Sequence, residues 1–417
     1  MGKKLSIAQN AFYNTAGSFF YLVCQWLITV LVIRLGSVEF GGVLSLAMSV
    51  TNIFFSLSTF GIHGYQVTDY RRKYSTGEYL TTRLFTCVSA FALCVLYNLL
   101  CPQSGYETAC IIVYMLFRFG EALSDEHHAI QQVAERMDYA FRSCIIRGIL
   151  LVGSFTGAML LTHDLLTAFC AMAVLTSLVV FLYEYPVCKK LETISLRFSL
   201  KRSLSLLLEN WPLLANSLLM VLLVSLPRTR LNALWGNYWM GIYGSVAAPA
   251  AIIQSIIPRL YNPALIAFSR DWAEKNRKSF QSLHMRMLLV LCGIAAVTFA
   301  AAALLGRWGL NLLFGQEIAA HDNLLLPTLA TTTLIAAEYY LSALLTVARK
   351  LKSIAAANAA ALGIMLLFSD MLIRSYGPNG VNLIVCIAMG VNCLILYAIF
   401  LYTRKKHFSE PNTPAAG

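Results

Sequence analysis

Long apolar runs separated by short polar segments dominate this 417-residue chain. A helix that crosses a bilayer needs about 20 mainly apolar residues. The first six candidate runs lie at roughly 12–35, 40–66, 80–101, 105–123, 141–162 and 164–183. The second six lie at roughly 207–226, 238–262, 284–305, 324–348, 353–373 and 379–402. The pattern predicts an all-α integral membrane protein with about twelve transmembrane helices.

The runs divide into two halves of six, separated by a longer polar segment. The predicted parts are an N-terminal six-helix lobe over 1–185, a cytoplasmic amphipathic linker over 186–205, a C-terminal six-helix lobe over 206–403 and a cytoplasmic tail over 404–417. The linker mixes leucines and a phenylalanine with cations, which suits a helix lying on the membrane surface. A disordered basic linker is the alternative.

Glycines at matching places support the two halves. Gly36 and Gly41 flank the entrance to the second span, and Gly236 and Gly241 flank the entrance to the eighth. Six spans in each half give both halves the same orientation, as in transporters built from parallel repeats.

Composition agrees with a lipid environment. Hydrophobic residues make up 58% of the chain and charged residues 12%, with a mean hydropathy of +0.66. Soluble domains carry about 25% charged residues. A net charge of +12 would also suit a nucleic-acid-binding protein. The basic residues, however, lie in short clusters beside apolar runs, where they meet anionic head groups, so we expect no nucleic-acid partner.

The placement of the cations predicts the topology. Twenty-six of the 32 lysines and arginines fall in every second gap between runs. Cationic loops are retained on the cytoplasmic side, so both termini are predicted to be cytoplasmic. These 26 include Lys3, Lys4, Arg71, Arg83, Arg147, Arg197 and Arg259. The six exceptions are Arg34, Arg118, Arg228, Arg230, Arg307 and Arg374.

Signatures of catalysis and of metal binding are missing from the sequence. The eleven cysteines form no C-x-x-C pair, and the seven histidines form no H-x-x-x-H pattern. No phosphate-cradling glycine loop or nucleophile elbow occurs. We therefore expect neither an enzyme nor a bound metal or cofactor.

Arg118 is the clearest candidate for a functional residue. It lies within the fourth span, where a charged side chain is costly and normally faces a cavity or a partner. In a wet cavity its guanidinium would offer a planar fork to phosphate oxygens. Glu121 lies one turn away on the same helix, so a structural ion pair is the competing interpretation.

Arg228 and Arg230 are further candidates for substrate binding. They follow Pro227, which we expect to interrupt the seventh span. Because they are spaced i and i+2, the two side chains should point in different directions. One could line a cavity while the other reaches the membrane interface.

Buried carboxylates are candidates for ion coupling. Glu338, in the middle of the tenth span, could carry a proton during transport or could hold neighbouring side chains by hydrogen bonds. Glu121 is the second candidate. His63, near the inner end of the second span, is interpreted as a packed or interfacial residue.

Four segments resemble the Wzx-type oligosaccharide flippases, in the superfamily that includes the MATE exporters and the lipid II flippases. They are Arg34-Leu35-Gly36 with Phe40-Gly41, LSTFGI at 57–62 leading to DYRRKY at 69–74, QQVAERMDYAFRSCIIRGIL at 131–150, and MGIYGSVAAPAAIIQSIIPRLYNPAL at 240–265. With the span count and lobe spacing, the resemblance covers nearly the whole chain.

The resemblance implies two six-helix lobes around a central cavity. It also implies alternating access that moves polyprenyl-diphosphate-linked oligosaccharides to the outer leaflet of the bacterial cytoplasmic membrane. The product would be an O-antigen, capsule or exopolysaccharide, with a polymerase and chain-length machinery as possible partners. A proton or sodium gradient is the possible energy source. The alternatives are a cation-coupled exporter of small amphiphiles and a polysaccharide polymerase or ligase, which the short outer loops disfavour.

Overall fold

The computed structural model describes residues 5–69, 72–101, 103–196 and 198–409. Side chains are described at all of these except positions 7, 255, 256, 258–260, 262 and 263. The predicted tail beyond 409 falls outside this description. So do several cations assigned above to the cytoplasmic side. They are Lys3, Lys4, Arg71, Arg197 and the side chain of Arg259.

The described chain is helical, and no strand occurs in it, which confirms the all-α class. Its helices are α1 (Ile7–Leu35), α2 (Val38–Thr59), α3 (Ile62–Thr68), α4 (Thr76–Leu100), α5 (Gly105–Val133), α6 (Met137–Thr162), α7 (Leu165–Val179), α8 (Tyr185–Leu191), α9 (Leu200–Ala273), α10 (Arg277–Phe314), α11 (Gln316–Ala319), α12 (Leu325–Val347), α13 (Leu351–Tyr376) and α14 (Pro378–Ser409). A π-helical turn, Val180–Glu184, joins α7 to α8, and a 3₁₀ turn, Asp322–Leu324, precedes α12.

Serine capping boxes fix where several helices begin. Ser75 accepts from the backbone N–H of Glu78 while Glu78 accepts from that of Ser75, and Ser104 and Glu107 do the same at the start of α5. Each box satisfies two backbone donors that the first helical turn leaves unpaired.

Ten segments of the described chain are long and apolar enough to cross a membrane. α5 is not one of them because Glu107, Arg118 and Glu121 interrupt its apolar run. The segment Leu200–Gln254 has 55 residues. At a rise of 1.5 Å per residue it would be about 80 Å long, against a hydrocarbon thickness of about 30 Å. The twelve crossings and the sidedness of the termini stay predictions.

The chain forms two compact units, residues 1–244 and residues 245–417. The lobe boundaries predicted at 185 and 206 stay predictions. The N-terminal unit packs side chains of α1, α2, α5, α6 and α7 into its core, among them Val32, Leu44, Phe117, Phe155 and Phe169. The C-terminal unit has its own core, which includes Phe268, Phe280, Tyr340, Leu344 and Phe400.

Residues 186–205 do not form one continuous helix, and the membrane-surface linker stays a prediction. α8 ends at Leu191, α9 begins at Leu200, and the described residues between them are not helical. Ion pairs hold this segment and the start of α9 to the α3–α4 region. They are Arg72 Nη2 to Glu192 Oε1 at 3.0 Å, Arg202 Nε to Glu78 Oε1 at 2.7 Å and Lys73 Nζ to Glu209 Oε1 at 2.6 Å. The cations therefore bind acidic side chains of the protein itself.

The interruption expected at Pro227 occurs instead at Gly236. The helix continues through Pro227, and the break is at Gly236, with φ of 80° and ψ of 178°. A positive φ suits glycine because a Cβ would clash there with the backbone. A proline inside a membrane helix is tolerated where neighbouring groups satisfy the freed carbonyl.

One glycine of each pair recognised in the sequence meets the other in the N-terminal unit, because a Cβ on Gly41 would lie 3.9 Å from the Cα of Gly241. A Cβ on Gly42 would lie 1.9 Å from the carbonyl oxygen of Asn237, and one on Gly241 would lie 2.0 Å from that of Val38. Helix backbones can approach this closely only where side chains are absent. α2 and residues 237–244 of α9 therefore cross in direct backbone contact.

Candidate functional site

Arg118 lies half-buried on α5 without a carboxylate partner among the described residues. Its Nη2 donates to Asn52 Oδ1 at 2.9 Å, and its guanidinium lies 3.7 Å from the ring centroid of Phe55. Nε is buried and makes no hydrogen bond. Because an amide oxygen and a ring face leave the positive charge in place, Arg118 retains capacity to bind an anion.

The competing interpretation, an ion pair between Glu121 and Arg118, does not occur in the structure. Glu121 instead bonds to Arg147, accepts from Tyr21 Oη at 2.5 Å and accepts from Gln25 Nε2 at 2.7 Å. Both of its oxygens are therefore occupied. This arrangement fixes Glu121 in the packing of α1, α5 and α6 and leaves Arg118 free of it.

Arg83 and Arg147 were assigned from the sequence to the cytoplasmic side. In the structure both side chains are buried between packed helices. Arg83 is 0% exposed and donates to Glu126 Oε2 at 3.1 Å, to Asp125 Oδ2 at 3.0 Å and to the Ser58 carbonyl at 3.1 Å. Arg147 donates to Ser124 as well as to Glu121. Asp125 and Glu126, the carboxylates that Arg83 meets, lie beyond residue 123, where the fourth span was predicted to end, whereas Glu121, the partner of Arg147, lies within that span.

Glu184 is a buried acid that the sequence analysis missed. The π-helical turn Val180–Glu184 carries it to α5 and α6. There it accepts from Ser124 Oγ at 2.6 Å and from Ser143, and its Oε1 lies 3.2 Å from His128 Nε2. A polar stripe on α5, with Glu121, Ser124 and His128 at i, i+3 and i+7, was the available signal.

Arg228 and Arg230 differ in exposure, as their spacing predicts. Arg228 is half-buried, with its guanidinium 5.8 Å from the ring centroid of Tyr243, and Arg230 is exposed. No contact between either of them and Arg118 is found within the described residues. The three candidate arginines thus lie in one compact unit but do not form a contacting cluster.

Glu338 is the buried carboxylate of the C-terminal unit. It is 1% exposed, its Oε1 accepts from Ser342 Oγ at 2.6 Å, and its Oε2 is buried without a hydrogen bond. Asn358 lies beside it and accepts from Asn392 Nδ2 at 2.7 Å. An unsatisfied buried carboxylate oxygen is costly, and a proton on Glu338 would reduce that cost.

A polar cavity of about 830 Å³ opens beside the α3–α4 loop. Asp69, in its wall, accepts hydrogen bonds from the N–H groups of Lys73 and Tyr74 and from Tyr79 Oη. Partial burial opposes ionisation of Asp69, but these bonds outweigh it and lower the pKa of its carboxyl below 3.8. Asp69 therefore stays ionised and organises the loop.

These helices and buried charges define a multi-pass, all-helical membrane protein. Residues 7–266 match the family model described as polysaccharide biosynthesis protein, and the chain belongs to that family. This finding confirms the resemblance noted from the sequence.

A curated relative and two solved structures agree with this assignment. Capsular polysaccharide biosynthesis protein CapF of Staphylococcus aureus is 23% identical, over 95% of this chain and 100% of its own length. A multidrug-resistance MATE family transporter in an inward-facing conformation is 12% identical, with a TM-score of 0.69, over 98% of this chain and 96% of its own. The lipid II flippase MurJ, in an inward closed conformation, is 11% identical, also with a TM-score of 0.69, over 95% and 90%. The chain has the fold of these transporters, and family and fold together support a membrane flippase or exporter role.

Proposed function

We propose that this protein translocates polyprenyl-diphosphate-linked oligosaccharides from the cytoplasmic to the outer leaflet by alternating access. It would act in the bacterial cytoplasmic membrane, in the synthesis of O-antigen, capsule or exopolysaccharide, beside a polymerase and chain-length machinery. The polysaccharide biosynthesis family and the MurJ-like fold support this cargo class.

The observation that carries the proposal is the environment of Arg118. A diphosphate cannot cross hydrocarbon without partners that replace its hydration. Arg118 is half-buried, has no carboxylate partner among the described residues, and keeps its buried Nε unbonded. A guanidinium in that condition can bind phosphate oxygens through two parallel hydrogen bonds. Arg228 and Arg230 would bind the same anion at another stage.

Ion coupling is assigned to Glu338 in preference to Glu121. Glu121 is neutralised by Arg147 and accepts three hydrogen bonds, so no site remains on it for a transported ion. Glu338 retains an unbonded oxygen beside Asn358. A proton or a sodium ion would satisfy that oxygen.

Reconstituted protein tests the proposal. Liposomes carrying a fluorescent polyprenyl-diphosphate oligosaccharide on one leaflet should show its transfer to the other. Arg118→Gln should slow transfer at least tenfold, because each charge-assisted hydrogen bond lost contributes about 1.5–3 kcal/mol. Arg142→Gln is the matched control because Arg142 lies on neighbouring α6 with a 63% exposed side chain. Equal transfer by the two variants would contradict the role of Arg118.

An exporter of small amphiphiles is the second candidate, because the same fold occurs in a multidrug-resistance transporter. Cationic drugs would favour an unpaired carboxylate over an unpaired arginine. A deletion strain with altered drug resistance and unchanged surface polysaccharide would support the exporter, and loss of polysaccharide alone would support the flippase.

A further inference from the structure

Four ionisable residues, which we call the His63 cluster, meet where α3, α4 and α5 pack together: His63, Arg83, Asp125 and Glu126. Arg83 lies at its centre, with Nη2 3.0 Å from Asp125 Oδ2 and Nε 3.1 Å from Glu126 Oε2. One guanidinium thus faces two carboxylates. Its remaining recorded bond goes to the carbonyl of Ser58 and brings no compensating charge.

The charges of these groups do not balance without a proton. Arg83 supplies one positive charge against two negative ones, and the side chains of Arg83 and Glu126 are 0% exposed. An uncompensated buried charge is strongly destabilising. One additional proton makes the cluster neutral, and its two candidate carriers are His63 and Glu126, whose Oε1 is buried without a hydrogen bond.

The geometry assigns that proton to His63. Its Nδ1 lies 2.8 Å from Asp125 Oδ1 and 3.0 Å from the Asp125 carbonyl oxygen, and its Nε2 lies 3.2 Å from Gln132 Oε1. Both ring nitrogens therefore face oxygen acceptors. A neutral imidazole has one donor and one acceptor nitrogen, whereas an imidazolium has two donors. These surroundings match an imidazolium.

The cluster is partly exposed on the side of this proton. The side chains of His63 and Asp125 are 30% and 35% exposed. By contrast, the corresponding pair formed by His128 and Glu184 is 17% and 0% exposed. The charged and titratable groups around His63 are Asp125 and Glu126 from α5, Arg83 from α4 and, on its own helix, Tyr65, which donates to Glu209 of α9.

The helix is interrupted between α2 and α3, next to the His63 cluster. The attachment of α3 to α5 therefore depends on the proton of His63. α2 ends at Thr59, and the next two residues, Phe60 and Gly61, both have positive φ angles, of 48° and 69°. The seven-residue α3 follows and is held to α5 through His63. Loss of the proton would remove one donor from that attachment and leave net negative charge between the helices.

We propose that the His63 cluster is a proton-binding site, in which His63 holds one exchangeable proton against Asp125 and thereby fastens α3 to α5. Through this site, a proton gradient would act on the N-terminal unit. That consequence rests on the proposed flippase function, whereas the binding of the proton does not.

Nitrogen NMR of the full chain in lipid nanodiscs, labelled with ¹⁵N-histidine, tests the site directly. His63→Gln identifies the His63 signals, and at neutral pH both ring nitrogens of His63 should carry protons. Asp125→Asn should return the ring to its neutral form. His163→Gln, at an exposed helix end, is the control and should leave the His63 signals unchanged. A neutral His63 in the unmodified chain, with the Gln132 amide reversed, would overturn the proposal, and so would an imidazolium that persists in Asp125→Asn.

A transport assay distinguishes failure of the proposed proton site from failure of the proposed flippase function. In liposomes, a pH gradient should speed transfer of the lipid-linked oligosaccharide by the unmodified chain, and His63→Gln should lose that stimulation while retaining basal transfer. Stimulation of His63→Gln equal to that of the unmodified chain would refute the coupling. If no chain moves the oligosaccharide while the NMR shows the imidazolium, the flippase function fails and the proton site stands.

Discussion

Replacing Gly42 by alanine tests the backbone contact between α2 and residues 237–244. The new methyl carbon would lie 1.9 Å from the carbonyl oxygen of Asn237, 2.6 Å from its carbonyl carbon and 2.9 Å from its Cα. These are backbone atoms, so no side-chain rotation relieves the clash. Restoring an ordinary contact of 3.4 Å requires the two segments to separate by roughly 1.5 Å.

The expected cost follows from that separation. Overpacking of a tight contact typically costs about 1–3 kcal/mol. The displacement would also strain the hydrogen bond from Asn237 Nδ2 to Glu107 Oε1, now 2.6 Å long. In a domain of 150–250 residues, each kcal/mol lowers the unfolding temperature by about 2–4 °C. Because alanine gains the same helix propensity at Gly42 and at Gly153, we expect Gly42→Ala to unfold at least about 2 °C below Gly153→Ala.

Thermal unfolding of the purified protein in detergent, followed by tryptophan fluorescence, measures this change. Gly153→Ala is the matched control because Gly153 also lies in a membrane helix, α6, and a Cβ there would meet nothing within 4 Å. Alanine is a better helix former than glycine by about 1 kcal/mol, so the control should be equally or more stable. A Gly42→Ala protein as stable as the control would refute the close crossing.

Three further outcomes are expected. Arg83→Gln leaves the buried Glu126 carboxylate unpaired, so it should cost about 3–5 kcal/mol and reduce the monodisperse yield in size-exclusion chromatography, whereas the exposed Arg142→Gln should not. Folding lowers the pKa of Asp69 below its ordinary value of 3.8. Ionised Asp69 therefore stabilises the α3–α4 loop above pH 3.8, and this contribution is lost as the pH falls through the folded-state pKa. Proteolysis of the loop should therefore increase on acidification, and less so for Asp69→Asn. Glu338→Gln should abolish ion-gradient stimulation of transfer while exposed Glu317→Gln retains it, and full stimulation of both would exclude Glu338 from coupling.

The sequence predicted which kind of residue stands at the candidate site better than it predicted the contacts of that residue's neighbours. An arginine in an apolar run must face a partner or a cavity, which correctly singled out Arg118 as unusual. Spacing along a helix then suggested Glu121 as its neighbour, but a side chain one turn away competes with every other helix packed on the same face. Glu121 instead bonds to Tyr21, Gln25 and Arg147. These residues lie on α1 and α6, which are separate from α5 in the chain.

Burial of Arg83 and Arg147 could not be read from charge placement. The rule that cations stay on the cytoplasmic side counts residues near span ends. It contains no information about whether a carboxylate on another helix will neutralise them. Glu126 neutralises Arg83 and Glu121 neutralises Arg147, through contacts separated by 43 and 26 residues.

The sequence by itself determined the solvent and the helical class of this protein, because length and hydropathy of local runs decide whether a segment can satisfy its backbone in lipid. The family followed from the resemblance of four segments of the sequence. Tertiary structure alone decided which charges pair, where α9 breaks and how closely α2 approaches residues 237–244. Those outcomes depend on side chains that meet only after the helices have packed. The same packing freed Arg118 from Glu121 and placed His63 between Asp125 and Gln132.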